Sequence, residues 1–110
     1  MRMLIAVAGP YSADTKEQRK KNLDAMNDAA SEVYKLGHIP VIGMNNALPV
    51  VDKLNDIDRY NSIMEISLEI IDRCDAILMI GESRGANMEC DVISGKGLPV
   101  YRSVKEIPLV

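Results

Sequence analysis

The sequence predicts an α/β fold in which a small, mostly parallel sheet of four to five strands is covered by helices. Two apolar runs, Leu4–Ala8 and residues 75–80, are typical of central strands that are buried on both faces. Between them, apolar residues recur at three- and four-residue steps, which is the spacing of amphipathic helices. Because strands and helices alternate, right-handed crossovers and a parallel sheet are expected.

The first half of the chain is expected to form a strand, a long helix and a second strand. The strand at Leu4–Ala8 ends at Gly9 and Pro10. A helix is predicted over residues 15–36, because Gly37 follows as a C′ residue and Asp14 or Thr15 can cap its start. Its apolar positions are Leu23, Met26, Ala30, Val33 and Tyr34. Residues 38–42 are expected to form a short second strand beside the first, and Pro40 favours either an edge position or the start of a strand.

The second half continues the alternation after an irregular stretch. Residues 43–59 have no clean period and are predicted to be a long loop, of the kind that serves as a lid, a binding loop or an interface. Helices are predicted over residues 60–74 and 86–96, and strands over 75–80 and 98–101. The chain is therefore expected to be a single domain, residues 1–110, with a Rossmann-like or flavodoxin-like three-layer sandwich.

Composition excludes several classes of function. The net charge is -3 and the chain has four Tyr but no Phe or Trp, so neither a basic surface nor stacking platforms for long nucleic acid are expected. The one basic cluster is interpreted as a solvated helix face. Its members are Lys16, Arg19, Lys20 and Lys21.

No membrane segment, metal site or cofactor motif is found in the sequence. No apolar run approaches the roughly 18 residues of a membrane span, and a cytoplasmic protein is expected. Cys74 and Cys90 lack the spacing of a zinc site or a disulfide framework and are interpreted as ordinary buried thiols. His38 is the only histidine and is interpreted as a turn residue. Neither GxGxxG nor GxxxxGK[ST] occurs, so no cofactor is expected.

A first candidate binding loop follows the first strand, at residues 9–14. Gly9 lets the backbone approach a ligand closely, and the ring of Tyr11 can stack on a base or a sugar. Taken alone, the loop fits an ordinary strand-to-helix turn better.

The strongest candidate site is the run from Ser83 to Glu89, directly after the second apolar strand. Ligands of open α/β sheets bind at the carboxyl ends of strands. Free N–H groups at a helix start attract anions, and the helix dipole there favours an ionised carboxylate. Ser83 and Gly85 would hold a phosphate while Glu89 attacks the anomeric carbon of a sugar. Alternatively, Glu89 is only a charge partner of the helix dipole, contributing about 0.3–1 kcal/mol.

A third set of candidates is acidic and lies around the second predicted helix. It comprises Asp52, Asp56, Asp58, Glu65 and Glu69. A leaving nucleobase needs a proton or a hydrogen bond, and Asp58 and Glu65 are catalytic candidates for supplying it. The alternative is that these residues are solvent-facing charges, as acidic residues on amphipathic helices usually are.

Three segments together resemble the nucleoside 2-deoxyribosyltransferase superfamily: Gly9-Pro10-Tyr11, Ser83-x-Gly85-x-x-x-Glu89 and Gly97-x-Pro99-Val100. The resemblance spans nearly the whole chain. It is strongest to a short bacterial and phage branch of uncharacterised proteins and to the nucleoside 5′-monophosphate N-glycosidases. Its most specific part is the motif that ends at Glu89, preceded by residues 74–77.

The resemblance implies a mechanism. Glu89 would attack C1′ of a ribosyl or deoxyribosyl group, and the glycosyl-enzyme intermediate would pass to water or to another base with retention of configuration. Ser83 and Gly85 would bind the 5′-phosphate or 5′-hydroxyl.

It also implies substrate-binding residues and partners. Tyr11 would line the sugar and base pocket beside Gly9, and Arg84 and Asn87 join the substrate-binding set from the same turn as Ser83. The ligand would be a small nucleoside or nucleotide, without cofactor or metal. Members of the superfamily are commonly homodimers or larger, so a homo-oligomer is expected.

One departure from the family pattern bears on catalysis. Family members often carry an Asp in the second helix, and the aligned position here is Ser67. Glu65, Glu69 or Asp58 would have to replace that Asp. Hydrolysis, base exchange, nucleotide binding without turnover, and a scaffold role in which Glu89 has no chemical part all stay open at this point.

Overall fold

The computed structural model describes residues 1–110 as four parallel strands between layers of helices. The elements are β1 (Leu4–Ala8), α1 (Lys16–Lys35), β2 (Ile39–Val41), α2 (Gly43–Val51), α3 (Arg59–Ile71), β3 (Ala76–Met79), α4 (Arg84–Ser94) and β4 (Val100–Tyr101), with a 3-10 helix at Val104–Glu106. The predicted α/β class is confirmed, with four strands.

The sheet has the order β2-β1-β3-β4, and every pair of neighbours is parallel. β1 is central, and its successive side chains pack into different layers. Ile5 and Val7 join the cluster that α1 covers, whereas Ala6 and Ala8 join the cluster built with α3 and α4. This burial on both faces explains why β1 reads as an uninterrupted apolar run.

The strand order places a crevice between β1 and β3. From β1 the chain crosses to β2 on one side, and it later returns to β3 on the other side. This reversal is the topological switch point of an open α/β sheet, where the loops leaving adjacent strands diverge. All carboxyl ends lie at one edge because all strands are parallel.

Helix α1 confirms its prediction. The Thr15 hydroxyl accepts a hydrogen bond from the Gln18 N–H at 3.1 Å and so caps the helix. Gly37, just beyond the C-cap Leu36, has a φ of 96°, a conformation that favours glycine.

The prediction of a long loop over residues 43–59 is wrong, because helix α2 occupies its first half. Glycine, asparagine and proline give this stretch poor helix propensity, and Pro49 removes one hydrogen bond from the last turn. Burial of Ala47, Leu48 and Val51 in one cluster with Ile63 of α3 outweighs that propensity. Only residues 52–58 are irregular.

The interpretation of His38 as a turn residue is also wrong. The ring is 1% exposed, and its Nδ1 accepts from the Met3 N–H at 3.1 Å. Nε2 therefore carries the proton and donates to the Pro108 carbonyl at 2.6 Å. His38 links both ends of the chain to the start of β2.

Cys74 and Cys90 are free thiols, and Cys74 is buried as predicted. The prediction that Cys90 is buried is wrong, because that residue is only half-buried on α4. None of the helices combines the length and apolar character that crossing a bilayer requires.

Candidate active site

A cavity of about 690 Å³ opens at the carboxyl edge of the sheet, over the crevice between β1 and β3. Its size lies within the roughly 300–1,000 Å³ of small-molecule sites. The loop after β1 contributes Gly9 and Tyr11, the start of α2 contributes Gly43, and the start of α4 contributes Ser83. Glu89 also lines the cavity.

Glu89 is a buried carboxylate held by one hydrogen bond. It lies in the second turn of α4 and is 5% exposed. The Ser67 hydroxyl on α3 donates to its Oε2. Its Oε1 has no protein partner and is not fully buried, since every fully buried side-chain oxygen is hydrogen-bonded. One oxygen is therefore fixed and the other is accessible from the cavity.

Burial raises the pKa of Glu89 from 4.5 to about 7, although the hydrogen bond from Ser67 opposes the rise. Contrary to expectation, the helix dipole does not offset the effect of burial on the pKa of this carboxylate. The dipole acts mainly within the first turn of a helix, and Glu89 lies one turn further in, where loss of water dominates.

Gly43 makes room for this pair at the first residue of α2. A Cβ at this position would overlap the Ser67 hydroxyl and lie 3.0 Å from Glu89 Oε2. Helices α2, α3 and α4 thus converge on the Glu89 carboxylate. The contact between Ser67 and Glu89 requires a residue without a side chain at position 43.

The start of α4 offers free backbone donors to the cavity. Ser83 is the N-cap, and its hydroxyl accepts from the Ala86 N–H at 3.1 Å. The N–H groups of Arg84 and Gly85 have no hydrogen-bond partner in the protein. Ser83, Arg84 and Gly85 all line the cavity. Such a terminus suits an anionic group of a ligand.

Three arginines and one further carboxylate complete the charged lining. Arg19 donates to the Ala13 carbonyl at 2.7 Å, and Arg59 pairs with Asp52 at 2.7 Å. The Arg84 guanidinium lies 5.0 Å from the centroid of the Tyr60 ring and has no carboxylate partner. The lining therefore has an excess of positive charge.

Most of the predicted site residues lie together in this cavity. Its lining includes Gly9, Tyr11, Ser83, Arg84, Gly85 and Glu89. Asn87 is exposed and lies outside the lining.

The two acidic candidates for protonating a base are not brought to Glu89. Asp58 is exposed and caps α3 by accepting from the Asn61 N–H at 3.1 Å. Glu65 is exposed and, with Glu69, lines a separate groove on the outer side of α3.

Four residues of the cavity lining were not predicted from the sequence as site residues. They are Arg19, Gly43, Arg59 and Tyr60. One signal was available for Ser67: it lies four residues from both Ile63 and Ile71, so a polar residue interrupts a buried apolar stripe. No comparable signal marks Gly43, because its role depends on how three helices meet.

The fold is similar to that of a solved 2-deoxyribosyltransferase from the psychrotolerant bacterium Bacillus psychrosaccharolyticus, which is described as a biocatalyst for nucleoside synthesis. The TM-score is 0.56 and the sequences are 19% identical, over 88% of this chain and 69% of that one. At this identity the similarity shows a shared fold.

No curated protein matches the chain in sequence. The family model described as a domain of unknown function, DUF4406, matches residues 3–102. This match covers most of the chain, which therefore belongs to the DUF4406 family.

Proposed function

We propose that this protein, as a single domain of residues 1–110, cleaves or transfers the N-glycosidic bond of a nucleoside, a deoxynucleoside or its 5′-monophosphate, with Glu89 as nucleophile. The observation that carries the proposal is a buried carboxylate with one free oxygen in the same cavity as the N-terminus of α4. The fold shared with a 2-deoxyribosyltransferase and the motif from Ser83 to Glu89 support it.

In this proposal the sugar lies between the start of α4 and the Glu89 carboxylate. The free N–H groups of Arg84 and Gly85, with the Ser83 hydroxyl, bind the 5′ end, which places C1′ toward Glu89 Oε1. Attack by ionised Glu89 on C1′ breaks the bond to the base nitrogen and forms a glycosyl ester. Water or a second base then attacks C1′ and releases Glu89. Tyr11 and Tyr60 provide aromatic surface for the base.

A second candidate function is nucleotide binding without turnover. The carboxylates that line the cavity are Glu89 and Asp52, and Asp52 is paired with Arg59. Apart from Glu89, the cavity therefore has no unpaired carboxyl group that could give a proton to a leaving base. A base that leaves poorly without a proton would then be bound but not released.

Chromatography of base release from a panel of nucleosides and 5′-monophosphates, with and without a second base, tests the enzymatic proposal. We expect release by the wild-type protein, a loss of at least about 1,000-fold in Glu89→Gln, and normal release in Glu69→Gln, a matched change on the outer side of α3. Release that persists in Glu89→Gln would remove Glu89 as nucleophile. Calorimetric binding of a nucleotide with no release by the wild-type protein would favour the second function.

We further propose that the protein is a homo-oligomer. Val50, Leu54 and Ile57 are large apolar residues exposed at and just after the end of α2, which gives a second copy an apolar contact. Light scattering coupled to size-exclusion chromatography measures the number of subunits, and a monomer at all concentrations would contradict this.

A further inference from the structure

We propose that Ser67 is a positioning residue, which holds Glu89 by Oε2 so that Oε1 alone faces the cavity, and that Gly43 is required for this contact. The catalytic consequence rests on the function proposed above. The positioning itself can be measured without any substrate.

The hydroxyl of Ser67 is committed to Glu89 rather than to its own helix. A buried serine inside a helix commonly donates to the carbonyl four residues earlier. Here Ser67 is 0% exposed and donates to Glu89 Oε2, which is contributed by a different helix. Because no water reaches Ser67, the carboxylate is the acceptor that satisfies its proton.

No cation offers the same support to Glu89. Arg19 and Arg59 are engaged by Ala13 and Asp52, and the Arg84 guanidinium lies over the ring of Tyr60. The Ser67 hydroxyl therefore holds the Glu89 carboxylate in place, a role that a cationic side chain has in a salt bridge. Unlike a cation, it does not neutralise the negative charge.

Several titratable or charged groups line the cavity with Glu89, and Cys74 interacts with it electrostatically. They lie on α1 and the loop before it, at the end of α2, on α3 and the turn after it, and on α4. The residues are Tyr11, Arg19, Asp52, Arg59, Tyr60, Cys74 and Arg84. None of them accepts from or donates to the Glu89 carboxylate. The hydrogen bond from Ser67 is therefore the specific contact that favours the ionised form.

Gly43 limits which residues can form this contact. An added Cβ would overlap the Ser67 hydroxyl, so Ser67 would have to turn away from Glu89. A longer side chain at position 67 would meet the backbone of Gly43. The pair is thus confined by the close approach of α2 to α3.

The first experiment measures the pKa of Glu89 by ¹³C NMR of its side-chain carboxyl group. We expect an upward shift of about 1 unit in the pKa of Glu89 in Ser67→Ala, since the hydrogen bond to the charged form is lost, and a shift in the same direction in Ser67→Gly, which also lacks the hydroxyl. Ser62→Ala, half-buried on the same helix, is the matched control and should not move it. An unchanged pKa of Glu89 in Ser67→Ala would overturn the proposal.

The second experiment measures base release as a function of pH. With the pKa of Glu89 about 1 unit higher, Ser67→Ala should lose about fivefold in kcat/KM at pH 7 and recover most of it by pH 9. A loss of the same size at every pH would show a structural role only and would overturn the proposal. Thermal unfolding identifies variants that fail to fold, and Ser67→Gly, which also removes the hydroxyl and adds no atoms beside Gly43, then serves in place of Ser67→Ala.

The two experiments separate this inference from the proposed function. If no substrate releases a base, the proposed function fails, while the NMR titration still tests the contact between Ser67 and Glu89. If the enzyme is active but the titration shows no shift, the positioning role fails alone.

Discussion

Ser67 and Glu89, which lie 22 residues apart on α3 and α4, form a buried hydroxyl-to-carboxylate hydrogen bond at the wall of the cavity. The carboxylate has no ion-pair partner. Placing it there costs stability, because the folded state holds Glu89 largely out of water. Such a cost in stability is typical of functional sites, where the requirements of activity and of stability oppose each other.

The first prediction is that Glu89 makes the protein less stable as the pH rises. Its pKa is raised from 4.5 to about 7, so its penalty is absent below about pH 4.5, grows up to about pH 7 and is constant above that. The full effect is about 3 kcal/mol. Glu89→Gln should therefore be more stable than wild type by up to that amount at pH 8 and equal to it near pH 4.

Urea denaturation at both pH values measures this difference in the free energy of unfolding. Glu65→Gln, which changes an exposed glutamate of α3, is the control and should match wild type throughout. Equal stabilities of Glu89→Gln and wild type at pH 8 would contradict a raised pKa.

The second prediction concerns the space between α2 and α3. Gly43→Ala should lower the free energy of unfolding by about 1–3 kcal/mol, because the added Cβ overlaps Ser67. The double variant Gly43→Ala with Ser67→Gly should recover much of that loss, since the overlapping atoms are gone. Denaturation of the four proteins of this cycle gives the coupling energy, and strictly additive effects would count against the contact.

The third prediction separates the two roles of Ser83. Ser83→Ala should cost about 1 kcal/mol as a lost N-cap and raise the KM for a 5′-monophosphate about tenfold. Ser83→Asp keeps a capping oxygen and should restore stability, while its carboxylate repels the phosphate and raises KM further.

Thr15→Ala is the matched control for Ser83→Ala, because it removes the N-cap of α1 outside the cavity lining. It should lose similar stability with an unchanged KM. Normal binding of the monophosphate by Ser83→Asp would show that Ser83 does not contact the phosphate.

The fourth prediction is that His38 stabilises the fold. His38→Ala should lower the free energy of unfolding by about 2–4 kcal/mol, because it leaves a cavity and removes the ring partners of the Met3 N–H and the Pro108 carbonyl. Tyr34→Ala, at a residue that is 64% exposed, should change stability little. Urea titration compares the two, and equal effects would contradict a structural role for His38.

Much of the fold follows from local sequence patterns. The apolar run at β1 and the three- and four-residue spacing in α1 each reflect burial of one element against its neighbours, and the structure has both elements where the sequence predicts them. Helix α2 is the exception, because its propensity opposes helix formation and its burial against α3 decides the outcome.

The sequence by itself determined the α/β alternation and the turn from Ser83 to Glu89, because strand burial, helix spacing and N-capping are local properties of the chain. Only the tertiary structure decided what surrounds Glu89. The contact with Ser67, the clearance at Gly43, the raised pKa and the position of Asp58 and Glu65 outside the cavity depend on how α2, α3 and α4 pack. Desolvation and hydrogen bonding act between residues that are distant in sequence, and spacing along the chain does not encode them.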